Sequence, residues 1–131
     1  MKENGYPVSI LRLNEKCSSD GKYYFDKCAE KNIKIEQYDK NTFPCVDIIV
    51  DCILGTGFKG EVSGEVGELI EKINASGAYV VSADINSGLN GDSGMGARSV
   101  KSDLTVSIGS YKSGHFLNMA KDKIGKLVNC D

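Results

Sequence analysis

The 131-residue sequence predicts an α/β fold: an incomplete three-layer arrangement with a mostly parallel sheet and helices on both faces. Two compact β-branched runs, VDIIVD (46–51) and AYVVSAD (78–84), read as strands buried on both faces, as parallel strands are. Between them, GEVGELIEKINAS (64–76) spaces Val66, Leu69, Ile70 and Ile73 for the inner face of a helix. Strand-like and helix-like segments alternate along the rest of the chain, which is the pattern of strands joined by helical crossovers.

From the N-terminus, YPVSILRL (6–13) is a β-rich run bounded by Gly5 and Asn14. GKYYFDKCAEK (21–31) places Tyr24, Phe25 and Cys28 on one face at helical spacing, with lysines elsewhere. NIKIEQY (32–38) alternates as a short strand does. Residues 46–84 form a strand–loop–helix–strand crossover, for which a right-handed connection is the rule. LTVSIG (104–109) and KLVNC (126–130) are two further strands, and SGLNGDSGMGARS (87–99) is the one extended irregular segment. The chain opens on a lysine-rich piece resembling the end of a helix and closes on what reads as a strand tip. The expectation is therefore a single partial domain over 1–131.

Sixteen basic against eighteen acidic residues give a formal charge of −2, which argues against a nucleic acid or a membrane surface held by bulk charge. Cys17, Cys28, Cys45, Cys52 and Cys130 form an odd set with no C-x-x-C pair, read as reduced cytosolic thiols. With one histidine and scattered cysteines, the clustered ligands of a zinc site are lacking. The longest apolar run is broken by Asp47 and Asp51 and is far too short to span a bilayer, and residues 1–15 lack the apolar core of a signal peptide. The expected location is the cytoplasm.

The candidate site lies at the carboxyl ends of two strands, where open parallel sheets bind ligands. Asp51 ends the first buried run and Asp84 the second, and each is followed by a glycine-rich segment. One such aspartate is usually a turn or cap residue, whereas a flanked pair points to a site. Gly55, Gly57 and Gly60 spell G-x-G-x-x-G, whose backbone can approach a ligand closely and offer N–H groups to phosphate oxygens. Lys59 can add a point charge for a diphosphate or be a solvated loop lysine. An ordinary dinucleotide turn opens its helix inside the glycine motif; here EVSGE follows, so the helix starts near Gly64 and the loop is too long. His115 and Lys112 follow the strand LTVSIG, and Lys112 is able to face the same crevice, but neither is assigned a catalytic role. Tyr23, Tyr24 and Phe25 are read as packing residues.

Three ordered blocks, VDCILGTGFKGEVSG, KINASGAYVVSADINSGLNGDSG and VKSDLTVSIGSYKSGH, resemble the YjeF N-terminal domain of NAD(P)H-hydrate epimerases. The resemblance implies a three-layer Rossmann-like fold, homodimeric when complete, found alone or fused to an NAD(P)H-hydrate dehydratase. It implies epimerisation of the R and S forms of hydrated NADH and NADPH, with a potassium ion in the site. By motif position, Asp51 resembles a potassium ligand and Ser87 a second. Gly55, Thr56, Gly57, Phe58, Lys59, Gly60 and Glu61 resemble the substrate-binding loop, and Asp84 the substrate-contacting and catalytic acid. Two departures stand out. Asn86 occupies a position where D-I-P-S-G has proline, with a small effect expected because Asn tolerates turns. The family's G-N-N-G-G-D-G loop, which brings substrate contacts and an asparagine ligand for potassium, is not in this sequence and would lie upstream of residue 1. Little or no activity is therefore expected of these 131 residues alone. The rival readings are a non-catalytic YjeF-type binding or dimerisation module, as in mRNA-decapping scaffolds, and, least favoured, an NAD-dependent dehydrogenase. Retention of both Asp51 and Asp84 favours the enzyme.

Overall fold

A computed structural model describes residues 1–14 and 18–131, so the free thiol expected at Cys17 lies outside the described residues. The chain divides into two compact units, 1–42 and 43–131. No helix among the described residues is long and apolar enough to cross a membrane.

The first unit is a β-α-β element. Strands β1 (Ser9–Arg12) and β2 (Lys34–Gln37) pair in parallel, from Ser9 with Lys34 to Arg12 with Gln37, and helix α1 (Ser19–Glu30) connects them. Ser18 caps α1 by accepting a hydrogen bond on its hydroxyl from Gly21 N–H at 3.0 Å, the usual work of an N-cap serine. Gly21, Phe25 and Cys28, at i, i+4 and i+7, form with Lys27 its less exposed positions, and the Arg12 guanidinium stands 4.6 Å from the Phe25 ring centre. Tyr24 departs from the expected inner face: it is 67% exposed, because the shielded stripe passes through Gly21 instead. A 3-10 turn, Lys2–Asn4, stands where the sequence suggests the end of a helix.

The second unit carries the candidate site. Its four strands, β3 (Ile48–Asp51), β4 (Tyr79–Ala83), β5 (Ser102–Ile108) and β6 (Ile124–Cys130), are all parallel and lie side by side in chain order. Helix α2 (Gly64–Ala75) makes the β3–β4 crossover and buries Leu69, Ile70 and Ile73, with Val66 half-buried. The β4–β5 crossover is the irregular segment 84–101, and β5–β6 runs through two 3-10 turns, Ser113–His115 and Asn118–Asp122. In register, Asp51 faces Ser82, and Ser82 faces Thr105, so one sheet face carries buried polar side chains. The opposite face does not follow the expectation of strands buried on both sides. Ile48 is 52% and Val50 48% exposed, because they alternate with the covered residues and nothing within the 43–131 unit lies over them.

The irregular crossover is interior over residues 85–89 and reaches the surface at Asp92, Met95, Ala97 and Arg98. Ile85 and Leu89, each 1% exposed, pack with Ala120 and Ile124. Asn86 is fully buried: its amide donates towards Val100 O, Ser102 Oγ and Lys123 O at 2.9–3.0 Å, and its carbonyl accepts from Thr105 Oγ1 at 2.6 Å. That side chain ties the start of β5 to the turn before β6, work that a proline could not do. Gly94 has φ +68°, and a Cβ there would stand 2.2 Å from Leu117 O, so both backbone freedom and close approach require glycine.

Candidate functional site

The two strand-end acids, alike in sequence, have opposite environments. Asp51 is 1% exposed. Its Oδ1 accepts from Ser87 Oγ at 2.5 Å and from Ile53 N–H at 3.3 Å, and its Oδ2 accepts from Ser82 Oγ at 2.9 Å and Ser87 N–H at 2.8 Å. Ser87 Oγ in turn accepts from Leu54 N–H at 2.8 Å, which fastens the start of the glycine loop to the segment after β4. Asp51 and Ser87 thus meet, as their resemblance to a ligand pair implies. A carboxylate offers about four lone-pair sites, and four protein donors occupy them here. The pair is a hydrogen-bond hub and does not fit a potassium ion without giving up internal bonds. Among the described residues no His, Cys, Asp or Glu cluster is arranged to hold a metal.

Asp84 follows the last residue of β4 and is one of three non-glycine residues with positive φ among those described, at 68°. That conformation costs a non-glycine residue roughly 1 kcal/mol or more and is tolerated best by Asp and Asn. Three contacts hold it. Asp84 N–H continues the ladder to Val106 O at 2.8 Å, Ile108 N–H donates to its Oδ1 at 3.0 Å, and Lys112 Nζ forms an ion pair with the same Oδ1. The Asp84 side chain is 26% exposed, and Oδ2 has no partner among the described residues. Burial opposes ionisation, but the Lys112 and Ile108 hydrogen bonds and the Lys112 charge prevail and hold the carboxyl below its ordinary range. It is an anion at neutral pH.

Behind it stands His115, 4% exposed. Its Nδ1 accepts from Lys112 N–H at 3.2 Å and its Nε2 contacts Asp84 O at 2.9 Å, which assigns the proton to Nε2. Burial and the Lys112 charge lower its pKa, so the ring is neutral. His115 holds backbone in place through both ring nitrogens. Lys112 is the residue that sequence reasoning left without a role. Its position four residues past β5 was the available signal, and only the turn at 109–115 brings its side chain back onto Asp84.

The 55–61 loop lies open between β3 and α2. Gly55, Thr56, Gly57, Lys59, Gly60 and Glu61 are exposed and Phe58 is half-buried, with a turn closed by Phe58 N–H to Gly55 O at 3.0 Å. Gly60 has φ +104°, and α2 begins only at Gly64, as the long loop predicts. Lys59 Nζ stands 3.9 Å from Asp92 Oδ2, both side chains largely in water, so its nearest charged partner is an acid. No hydrogen bond or ion pair joins this loop to Asp84 among the described residues.

Over residues 1–114 the sequence matches the family described as YjeF-related protein N-terminus. It is 32% identical over 129 residues to the bifunctional NAD(P)H-hydrate repair enzyme Nnr of Coxiella burnetii, covering 96% of this chain and 26% of that protein. Identity to the NAD(P)H-hydrate epimerase of Elusimicrobium minutum is 42% over 89 residues, covering 67% of this chain and 39% of that protein. For the NAD(P)H-hydrate epimerase of Lentilactobacillus buchneri it is 32% over 127 residues, covering 95% and 59%. The chain thus spans less than two thirds of the length of each of these relatives. The crystal structure of yeast ynu0, YNL200c, matches 98% of this chain and 55% of its own with a TM-score of 0.78 at 16% identity, a likeness of fold. With a parallel α/β sheet, the DINSG turn after β4 and a family match over 114 residues, the chain belongs to the YjeF-related protein N-terminus family.

Proposed function

We propose that this chain carries the nucleotide-facing part of an NAD(P)H-hydrate epimerase, an isomerase that interconverts the R and S forms of hydrated NADH and NADPH. One observation carries the reading: Asp84, ionised and held in a strained strand-end conformation, keeps one carboxylate oxygen unengaged at the carboxyl edge of a parallel sheet. The names of the relatives supply the substrate class.

The reaction inverts a carbon that bears a hydroxyl and is bonded to the ring nitrogen. The C6–O bond breaks as the hydroxyl takes a proton and leaves as water, while the nitrogen lone pair forms C=N⁺. Water then adds to the opposite face and releases a proton, so no net proton or electron is consumed. A carboxylate beside the ring stabilises the cation and takes the proton from the adding water. Because the resting Asp84 is an anion, the proton for the departing hydroxyl comes from solvent water; Asp84 stabilises the cation, takes the proton of the adding water and releases it to solvent, which closes the balance. The glycines of 55–61 are the elements for the substrate's phosphates, by backbone N–H groups rather than by Lys59, which faces Asp92. No step runs through a potassium ion.

The G-N-N-G-G-D-G loop is not in this sequence, and on this reading little or no turnover is expected of residues 1–131 alone. A dehydratase, fused or separate, consumes the product epimer, in keeping with the bifunctional names among the relatives. The test is R/S interconversion of NADPH hydrate by the complete translated protein, followed by chromatography, with and without Asp84→Asn. Loss of the catalysed rate supports the assignment; an unchanged rate removes it.

A further inference from the structure

The structure assigns Lys112 as the residue that positions Asp84: it grips Oδ1, fixes the carboxylate in one orientation and leaves Oδ2 as the oxygen that meets the substrate. The chemistry of the substrate rests on the epimerase reading above, whereas the grip rests on geometry alone.

An ammonium group has three N–H donors and no acceptor. Lys112 spends all three inside the protein, on Asp84 Oδ1, on Ile108 O at 2.9 Å and on Ser110 O at 2.9 Å. No N–H remains for a substrate hydroxyl or phosphate, so Lys112 acts through Asp84 and not on the substrate. Both ends of the aspartate are engaged from this turn. The Lys112 side chain holds the carboxylate, while the Lys112 backbone N–H orients His115, whose other nitrogen holds Asp84 O. Ile108 N–H gives Oδ1 its second donor. Every donor reaching the carboxylate therefore arrives at one oxygen, and the asymmetry decides which oxygen is free.

The arrangement is costly unless it serves the carboxylate. The Lys112 side chain is 18% exposed, a poor environment for an ammonium, and Asp84 occupies a left-handed conformation. The two carbonyls that share the ammonium sit at the end of β5 and just beyond it, so the cation also pins the 108–112 turn under the aspartate. Lys112 and His115 are the titratable side chains placed against Asp84, and His115 is neutral.

The test is a ¹³C NMR titration of the Asp84 carboxyl in the wild-type chain, in Lys112→Met and in Lys112→Arg, with the signal assigned through Asp84→Asn. The wild type is expected to titrate below the ordinary aspartate range. In Lys112→Met the carboxyl is expected to titrate at least one pH unit higher, because burial then acts with less opposition, and Lys112→Arg is expected to restore most of the difference. Should Lys112→Met not fold, the wild-type Lys112 ¹⁵Nζ signal reads the same contact: it is expected to shift with the Asp84 titration. An unmoved Asp84 titration in Lys112→Met, or an Nζ signal indifferent to Asp84, overturns the assignment. In the complete translated protein, Lys112→Met is expected to lower kcat about 10²-fold with KM little changed and to move the acid limb of the pH profile upward. An unchanged kcat and acid limb would also overturn it. Absence of any turnover in the wild type would count against the epimerase reading instead, and leaves the NMR result standing by itself.

Discussion

Replacing Asn86 by alanine should destabilise the 43–131 unit far more than a turn residue normally does. The carboxamide is fully buried and reaches four groups. After truncation, the Ser102 and Thr105 hydroxyls still have each other at 2.8 Å, so their loss is partial. Val100 O loses the amide hydrogen aimed at it, and a buried acceptor left unmade costs roughly 1–3 kcal/mol, whereas Lys123 O keeps the Ser102 N–H at 2.9 Å. The expected penalty is about 1–3 kcal/mol. With a urea m-value of about 2 kcal/mol/M, the midpoint falls by roughly 0.5–1.5 M. Asn86→Asp should be worse than Asn86→Ala, because the amide nitrogen's partners include two carbonyls, which repel a carboxylate oxygen. The assay is urea denaturation followed through amide NMR signals of residues 102–108. An Asn86→Ala penalty below about 0.5 kcal/mol, the range of ordinary surface changes, would refute the reasoning.

The single histidine makes the pH dependence separable. His115 has a lowered folded-state pKa, from burial first, so its contribution to stability is complete above its unfolded value near 6.5 and is lost as the pH falls through the lowered value. Stability should therefore drop between pH 7 and pH 5 and show a smaller slope in His115→Gln, measured by denaturation at each pH; equal slopes would contradict the burial argument. Because protein donors occupy the lone-pair sites of Asp51, potassium chloride and sodium chloride at equal ionic strength should give the same thermal midpoint for this chain. A potassium-specific rise that is lost in Asp51→Asn would show that the carboxylate surrenders those bonds to an ion.

Periodicity located the strands and the α-helix of the second unit well because local pattern determines them. The β-branched runs 46–51 and 78–84 and the inner stripe of 64–76 needed no distant information. The glycine loop was likewise legible as non-helical up to residue 64. What sequence pattern did not reveal was non-local. Ile48 and Val50 look like interior residues, yet their exposure depends on what covers that face of the sheet. The glycine- and serine-rich 87–99 stretch looks like a surface loop, but Leu89 and its neighbours are packed because later turns fold back over them. Asn86 looks like a tolerated turn substitution, and its partners lie 14 to 37 residues away. At the site, Asp51 and Asp84 read as equals at two strand ends. Their difference lies in the donors that surround them, Ser82 and Ser87 around one and Lys112 around the other.

The most direct measurement of the central claim is the rate at which purified (R)-NADPH hydrate is converted to the S form by the complete translated protein and by its Asp84→Asn variant. Both are followed by chromatography against the spontaneous rate in buffer. With Asp84 as base and cation stabiliser, the variant should fall by at least about 10²-fold, the usual contribution of a positioned proton-transfer group. Interconversion by Asp84→Asn at the wild-type rate would contradict the account.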